Sequence, residues 1–329
     1  MSAFQAQEFE DVEDDLGGHG TSPFVKLFNR WEQQPWRSLG IDLSRDRKTW
    51  QRLPSALRAE IHVAICEFGG GDVAVTRLLL PLIEHAPEES WRLYLATQLS
   101  DEARHAVFFA RYYDEVLRGQ AAPSGAATAY EEFDDSAYEA EFTPLLAGAV
   151  AAAGDGAASW HAASTHYHLI TEGVLGVAIL KIARTMGRSP RMLPGLAEGI
   201  AGVFRDESRH ITFGRRAAMA GLAAGHGEAI ADAYLTGMRA AARVMIGPSR
   251  VEAPLAGLGA LQRAQQRRVR LAEACERAIR QARVLRLPVA RLELQEAWDD
   301  ARDRALDEYA ARWGHAHAAA GALEVAAHA

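Results

Sequence analysis

Apolar residues recur at every third or fourth position over most of this chain, the spacing that gives an α-helix one buried face. The pattern is recognisable over residues 54–85, 87–118, 157–186, 189–224, 226–246, 257–286 and 289–313. Strand-like alternation, a phosphate-binding glycine loop and a nucleophile elbow are not recognisable in the sequence. The pattern therefore predicts an all-α protein.

Glycines and polar residues interrupt this pattern at a few places. Gly69 to Gly71 lie inside the first stretch, and each glycine costs about 1 kcal/mol relative to alanine in a helix interior, so we expect a distortion or π-bulge there. Gly119 and Gly187 are natural stops for the second and third stretches. Residues 119–145 are polar, and a long crossover of this kind allows a ferritin-like bundle to begin its second helix pair.

The motif Asp-Glu-x-Arg-His occurs twice, as DEARH at 101–105 and DESRH at 206–210. Glu102 with His105, and Glu207 with His210, are spaced by one helical turn, so each pair projects from one face. In dinuclear iron and manganese carboxylate bundles, two helices each supply Glu-x-x-His and two others each supply one carboxylate. We therefore predict a ferritin-like four-helix bundle core, with additional C-terminal helices, around two metal ions. The alternative is a pair of solvated helix faces with ordinary charge pairs.

A dinuclear carboxylate bundle requires one further carboxylate on the helix that precedes each Glu-x-x-His motif. Glu172 is the acidic residue in the otherwise apolar run HYHLITEGVLGVAIL, and a buried lone carboxylate is costly unless it meets a cation. The first helix offers two candidates. Glu67 precedes Glu102 by the same 35 residues that separate Glu172 from Glu207, whereas Asp72 directly follows the three glycines. The residues alone leave both open.

Composition narrows the function classes. The chain has 329 residues and a net charge of −7, so a broad basic surface for nucleic acid or an anionic membrane is not expected. Two cysteines make no disulfide framework, which fits a reducing cytoplasm. An apolar run long enough to span a membrane is absent from the sequence, and the acidic N-terminus does not resemble a signal peptide. We expect a disordered tail at 1–22, a dimetal-carboxylate domain at 23–313 and an Ala/His-rich flexible tail at 314–329.

Residues 23–215 resemble the ribonucleotide reductase small-subunit superfamily, and within it most closely the ligand-binding oxidases of that fold. The resemblance rests on CEFGGGDVAVT, the two Asp-Glu-x-Arg-His motifs and THYHLITEG. In that family the first carboxylate stands three residues before a Val, which selects Asp72. The ligand-binding oxidases usually carry Glu at this position, so Asp72 is a departure. The implied metal ligands are Asp72, Glu102, His105, Glu172, Glu207 and His210.

The resemblance also implies an activity. It indicates a manganese-iron pair, or two iron ions, that activates O₂ beside a long-chain fatty-acid-like ligand, in a protein expected to be a homodimer. Tyr167 and Val75 correspond to residues that the family joins by an ether bond. Asp206 would hold His105, with Trp36 beyond it as in the electron-transfer chain of the reductases. A packed core role for Trp36 and for Tyr167 is the alternative reading.

Three related activities fit this sequence less well than that of a ligand-binding oxidase. Reductases store a radical on a Tyr where this chain has Phe109, and their C-terminal tail usually carries a Tyr, whereas none follows Tyr309 here. Ferritin-like ferroxidases are usually bundles of under about 200 residues. Di-iron N-oxygenases usually carry an extra histidine one turn before the second motif, where this chain has Val203 to Arg205.

Overall fold

The computed structural model describes residues 22–55, 57–58, 61–62, 65, 75–119, 144, 146–178, 192–246, 260–317 and 319–320. Several sequence predictions lie outside these residues: both candidates for the first metal ligand, Asp72 and Glu67, the distortion at Gly69 to Gly71, most of the 119–145 crossover, the stop at Gly187 and most of the two predicted tails.

Every regular element in the described part of the chain is helical. The α-helices are α1 (Pro23–Gln33), α2 (Ser44–Trp50), α3 (Leu80–Glu84), α4 (Glu89–Tyr112), α5 (Ala157–Ser164), α6 (Pro194–Ala223), α7 (Gly227–Ile246), α8 (Ala260–Leu285) and α9 (Arg291–Trp313). Short 3₁₀ turns lie at Ser38–Gly40 and Ala152–Gly154. Within these residues, no helix combines the length and the apolar character needed to cross a bilayer.

Two segments adopt π-helix, in which each backbone N–H reaches five residues back. They are π1 (Tyr113–Leu117), which continues α4, and π2 (Thr165–Gly176), which continues α5. We predicted regular helix at both places. The extra residue in each turn of a π-helix shifts which side chains face the core, and such segments are frequent at functional sites.

The bundle core is formed where α4, π2 and α6 meet. Helix α6 packs against both α4 and π2, and α1 lies across α4 and α6. Of the first predicted stretch, the described residues Val75, Leu79 and Leu82 are buried in the same apolar cluster as Trp91 and Phe213. The C-terminal helices extend this core, because α7 packs against π2 and α9, and α8 also contacts π2.

Helix ends follow local chemistry. Gly119 and Gly314 have positive φ angles of 69° and 72°, which glycine adopts without strain; Gly119 follows π1 as predicted, and Gly314 follows α9. Helix α6 begins at Pro194 rather than at Ser189. Both oxygens of Asp46 accept hydrogen bonds from its first turn, Oδ1 from the Gly195 N–H at 2.9 Å and Oδ2 from the Leu196 N–H at 2.8 Å.

The packed part of the chain continues beyond α9. His317 and Ala319, which lie in the segment predicted to be a flexible tail, are 3% and 5% exposed. The imidazole of His317 packs edge-on against Tyr309, with 4.7 Å between ring centroids. The C-terminal boundary of the packed domain therefore lies beyond Trp313.

Candidate metal centre

Three helical segments bring five of the six predicted metal ligands together. Helix α4 supplies Glu102 and His105, π2 supplies Glu172, and α6 supplies Glu207 and His210. All five side chains are buried. The sixth, Asp72, lies outside the described residues.

The two motif glutamates each face both histidines. Oε2 of Glu102 lies 3.4 Å from Nδ1 of His105, and its Oε1 lies 3.2 Å from Nδ1 of His210. Oε1 of Glu207 lies 3.5 Å from Nδ1 of His105, and its Oε2 lies 3.8 Å from Nδ1 of His210. The histidines thus mark two positions, and two carboxylates span them.

Glu172 belongs to the His210 position, because its Oε1 lies 3.7 Å from Nδ1 of His210. Potential ligand atoms of Glu102, Glu207 and His210 all lie within 4.8 Å of one another. An arrangement of three carboxylates and two imidazoles, with oxygen and nitrogen donors alone, suits iron or manganese.

Buried polar atoms that lack a hydrogen bond indicate whether these residues could hold metal ions. Four ligand atoms make no hydrogen bond of good geometry among the described residues, although the first two face each other at 3.2 Å: Oε1 of Glu102, Nδ1 of His210, Oε2 of Glu172 and Oε2 of Glu207. Buried polar atoms without a partner cost free energy, and buried carboxylates cost most. Metal ions between these atoms would remove that cost, so the residues fit a dinuclear centre.

The pKa values of the buried glutamates also indicate a cation at the centre. Burial raises the pKa of Glu172 well above its usual value, and the charges of Glu207 and Glu102 add to the rise. Burial also raises the pKa of Glu207. Burial opposes ionisation of Glu102 as well, but its contacts with His105 and His210 outweigh it and bring its pKa to about 2. Ionisation of Glu172 and Glu207 is therefore unfavourable unless a cation lies at the centre.

An aspartate holds the far side of each histidine. Nε2 of His105 lies 3.1 Å from Oδ2 of Asp206, and Nε2 of His210 lies 3.2 Å from Oδ2 of Asp101. Each aspartate comes from the motif on the other helix. A histidine that donates its Nε2–H to a carboxylate keeps its Nδ1 lone pair for a metal, so both rings are oriented toward the centre.

A tryptophan indole in turn reaches each aspartate. Nε1 of Trp36 donates to Oδ2 of Asp206 at 2.6 Å, and Nε1 of Trp31 donates to Oδ1 of Asp101 at 2.9 Å. Trp36 fits closely against α6 because position 202 is glycine: a Cβ there would lie 2.7 Å from the indole. Trp36 was predicted from resemblance, whereas Trp31, which lies on α1, was missed. Its place in the Trp-rich sequence ahead of the first predicted helical stretch at 54–85 was the available signal.

The motif arginines tie the two aspartates together. Nη1 of Arg104 lies 3.0 Å from Oδ1 of Asp101 and 3.2 Å from Oδ2 of Asp206. Arg209 is also buried and donates to both aspartates. Sequence reasoning left these arginines unassigned, although an arginine at the same place in both motifs was a signal.

Tyr167 and Val75 also lie together. The hydroxyl of Tyr167 donates to the backbone carbonyl oxygen of Val75 at 3.3 Å, and both side chains are buried. Phe109, at the position of the reductase radical Tyr, is fully buried in an apolar cluster.

Comparison with known proteins identifies the fold. No protein family model matches the chain. An R2-like ligand-binding oxidase with aerobically reconstituted metal cofactor after photoconversion is 23% identical, with 90% of this chain and 97% of that chain covered at a TM-score of 0.55. A variant of an R2-like ligand-binding oxidase with anaerobically reconstituted Mn/Fe cofactor is 23% identical, covering 92% and 96% at a TM-score of 0.56. The predicted all-α, ferritin-like fold and its resemblance to the ligand-binding oxidases are thus confirmed at the level of the fold.

Proposed function

We propose that this protein is an oxidase that activates O₂ at a dinuclear metal centre. One observation carries the proposal: Glu102 and Glu207 each direct one oxygen toward His105 and the other toward His210. Two ions held by one histidine each and shared by two carboxylates suit this geometry. The Mn/Fe cofactors of the structural neighbours support a manganese-iron pair, with two iron ions as the alternative.

Each protein group has a separate task in this proposal. His105 and His210 would each hold one ion, Glu102 and Glu207 would contribute oxygens near both histidines, and Glu172 would contribute near His210. Asp72 is proposed as the sixth ligand on the resemblance alone. When bound, the metal pair would supply the redox chemistry that reduces O₂. Asp206 and Asp101 hold the imidazoles in the tautomer that exposes Nδ1.

We propose two alternative targets for oxidation at this centre. One is a long-chain fatty-acid-like ligand beside the centre, supported by the ligand-binding character of the neighbouring oxidases. The other is internal: an ether bond between the phenolic oxygen of Tyr167 and Cβ of Val75. The contact between the Tyr167 hydroxyl and the Val75 carbonyl supports this second target.

Metal analysis tests the proposal directly. We expect two transition-metal ions per chain after loading with iron and manganese, and anomalous diffraction at the two absorption edges should place them beside Nδ1 of His105 and Nδ1 of His210. The double substitution Glu102→Ala with Glu207→Ala should abolish binding, since it removes both bridges. A double variant that keeps its metals would show that the centre is assigned to the wrong residues.

A further inference from the structure

A line of buried polar side chains leads away from Glu172. Nε2 of Gln98 donates to Oε1 of Glu172 at 2.7 Å. Oε1 of Gln98 in turn lies 3.1 Å from Nε2 of His168. Nδ1 of His168 lies 3.1 Å from the hydroxyl of Ser164 and 3.0 Å from its carbonyl oxygen. All four side chains are buried, so these contacts are sheltered from water.

The charge state of the Glu172 carboxylate determines which group donates each hydrogen bond along this line. As a metal ligand Glu172 is ionised and can only accept, so the amide of Gln98 must present its N–H to it. The amide oxygen then faces His168, and an oxygen needs a donor there. With that amide orientation His168 donates from Nε2 to Gln98, and its Nδ1 accepts from the hydroxyl of Ser164, with the Ser164 carbonyl oxygen as a second neighbour at 3.0 Å. The opposite tautomer would let Nδ1–H donate to that carbonyl oxygen but would set Nε2 against the amide oxygen of Gln98 at 3.1 Å, so the choice follows from the orientation of the amide.

Packing holds His168 in place. Its ring contacts Phe213 and Tyr167, with centroid distances of 5.1 Å and 4.9 Å. Helix α6 can approach so closely because position 214 is glycine: a Cβ there would lie 2.2 Å from Cβ of His168. The ring has little room to turn, so its proton is held toward Gln98.

The two oxygens of Glu172 consequently have different surroundings. Oε1 is held by Gln98, whereas Oε2 is buried without a hydrogen bond among the described residues. We propose that His168 and Gln98 are positioning residues for Glu172: the proton on Nε2 of His168 fixes the amide of Gln98, which holds Oε1 and so fixes the orientation of the carboxylate beside Nδ1 of His210. This inference rests on the proposed dinuclear centre.

Two measurements test the positioning role. The first is nitrogen-15 NMR of histidine-labelled protein loaded with Zn²⁺, a diamagnetic ion that keeps Glu172 ionised, with the His168 signals assigned by their absence in His168→Leu. We expect the Nε2–H tautomer, and we expect that proton's resonance to shift in Gln98→Leu. The second is competitive Mn²⁺ titration. His168→Leu and Gln98→Leu should each weaken one of the two sites by about 10- to 100-fold, the usual cost of losing a partner of a metal ligand.

Matched variants separate positioning from packing. His168→Gln can place an N–H near the former Nε2 and should bind Mn²⁺ within a few-fold of the native protein. His166→Leu changes another buried histidine of π2 and should leave both sites unchanged, because no contact links His166 to the carboxylates among the described residues. Circular dichroism establishes that each variant is folded, and Gln98→Leu serves if His168→Leu is not.

The outcomes are distinct. An Nδ1–H tautomer in the native protein, or native Mn²⁺ affinity in Gln98→Leu, overturns the positioning role. A native chain that binds no metal overturns the proposed function instead, and the response of the His168 resonances to Gln98→Leu in the metal-free protein then decides whether the hydrogen-bonded line exists.

Discussion

Nη2 of Arg209 donates to Oδ2 of Asp101 at 3.1 Å, although the two residues belong to motifs on different helices. The same nitrogen donates to Asp206. Arg209 is 2% exposed, and the aspartates are 1% and 0% exposed. The buried Arg209 and the less buried Arg104 together therefore balance the two carboxylates that orient the histidines of the centre.

Arg209→Leu should therefore destabilise the protein strongly. Removing one partner of a buried ion pair leaves an uncompensated charge, which costs about 3–5 kcal/mol. Urea unfolding of the metal-free protein measures this without a contribution from lost metal. Arg205→Leu, an exposed arginine on the same helix, is the control and should change stability by less than about 0.5 kcal/mol. Equal effects of the two substitutions would contradict the bridging role.

The first metal ligand can be decided by substitution. Asp72→Ala should cost the ion at one site, whereas Glu67→Ala should leave both filled, because the resemblance makes Asp72 the first metal ligand. Metal content after equilibration with manganese and iron is the readout. The reverse result would show that the equal 35-residue spacing of Glu67 and Glu172 before the motifs was the better guide.

A crosslink between Tyr167 and Val75 should form after aerobic loading with iron and manganese. Joining the phenolic oxygen to Cβ removes one hydrogen from each residue, with O₂ as the oxidant. Mass spectrometry of a digest should then show the two peptides as one species, lighter than their sum by two hydrogen atoms. Tyr167→Phe should prevent the crosslink while both metals remain bound. Finding the two peptides separate in the native protein would contradict the crosslink and would indicate that an external substrate is oxidised instead.

His166 should make the fold sensitive to acid. Burial lowers the pKa of His166 from 6.5 to about 4, so between these values the unfolded chain binds more protons than the folded chain. The free energy of unfolding should therefore fall as the pH is lowered through this window. Native protein should lose up to about 3 kcal/mol more than His166→Leu between pH 7 and pH 4. Identical slopes in urea unfolding of the two proteins would refute this.

The parts of the centre that depend on spacing along one helix were predictable from sequence. Glu102 and His105 share a face because one turn separates them, and the same holds for Glu207 and His210. Glu172 was recognisable because an isolated carboxylate in an apolar run needs a cation. Helix ends at Gly119 and Gly314 likewise follow from the conformational freedom of glycine.

The parts that depend on how helices meet were not predictable from spacing. Asp101 pairs with His210, 109 residues away, because α4 and α6 lie side by side in the bundle. Gln98 and His168 each stand four residues before a ligand glutamate, but their contact depends on the packing of α4 against π2. The π-helical backbone of π2 also lacks a local sequence signature, since HYHLITEG reads equally well as regular helix.

The hydrogen bonds of Asp46 affect how the protein unfolds locally. It lies on α2, and its oxygens accept the first N–H groups of α6 and, at 3.1 Å, the hydroxyl of Tyr112 at the end of α4. Detaching the N-terminal arm, residues 22–50, which carries Trp31 and Trp36, would leave these donors without their acceptor. The arm is thus coupled to both motif helices, and we expect amide hydrogens in all three to exchange with solvent as one cooperative unit rather than by separate fraying.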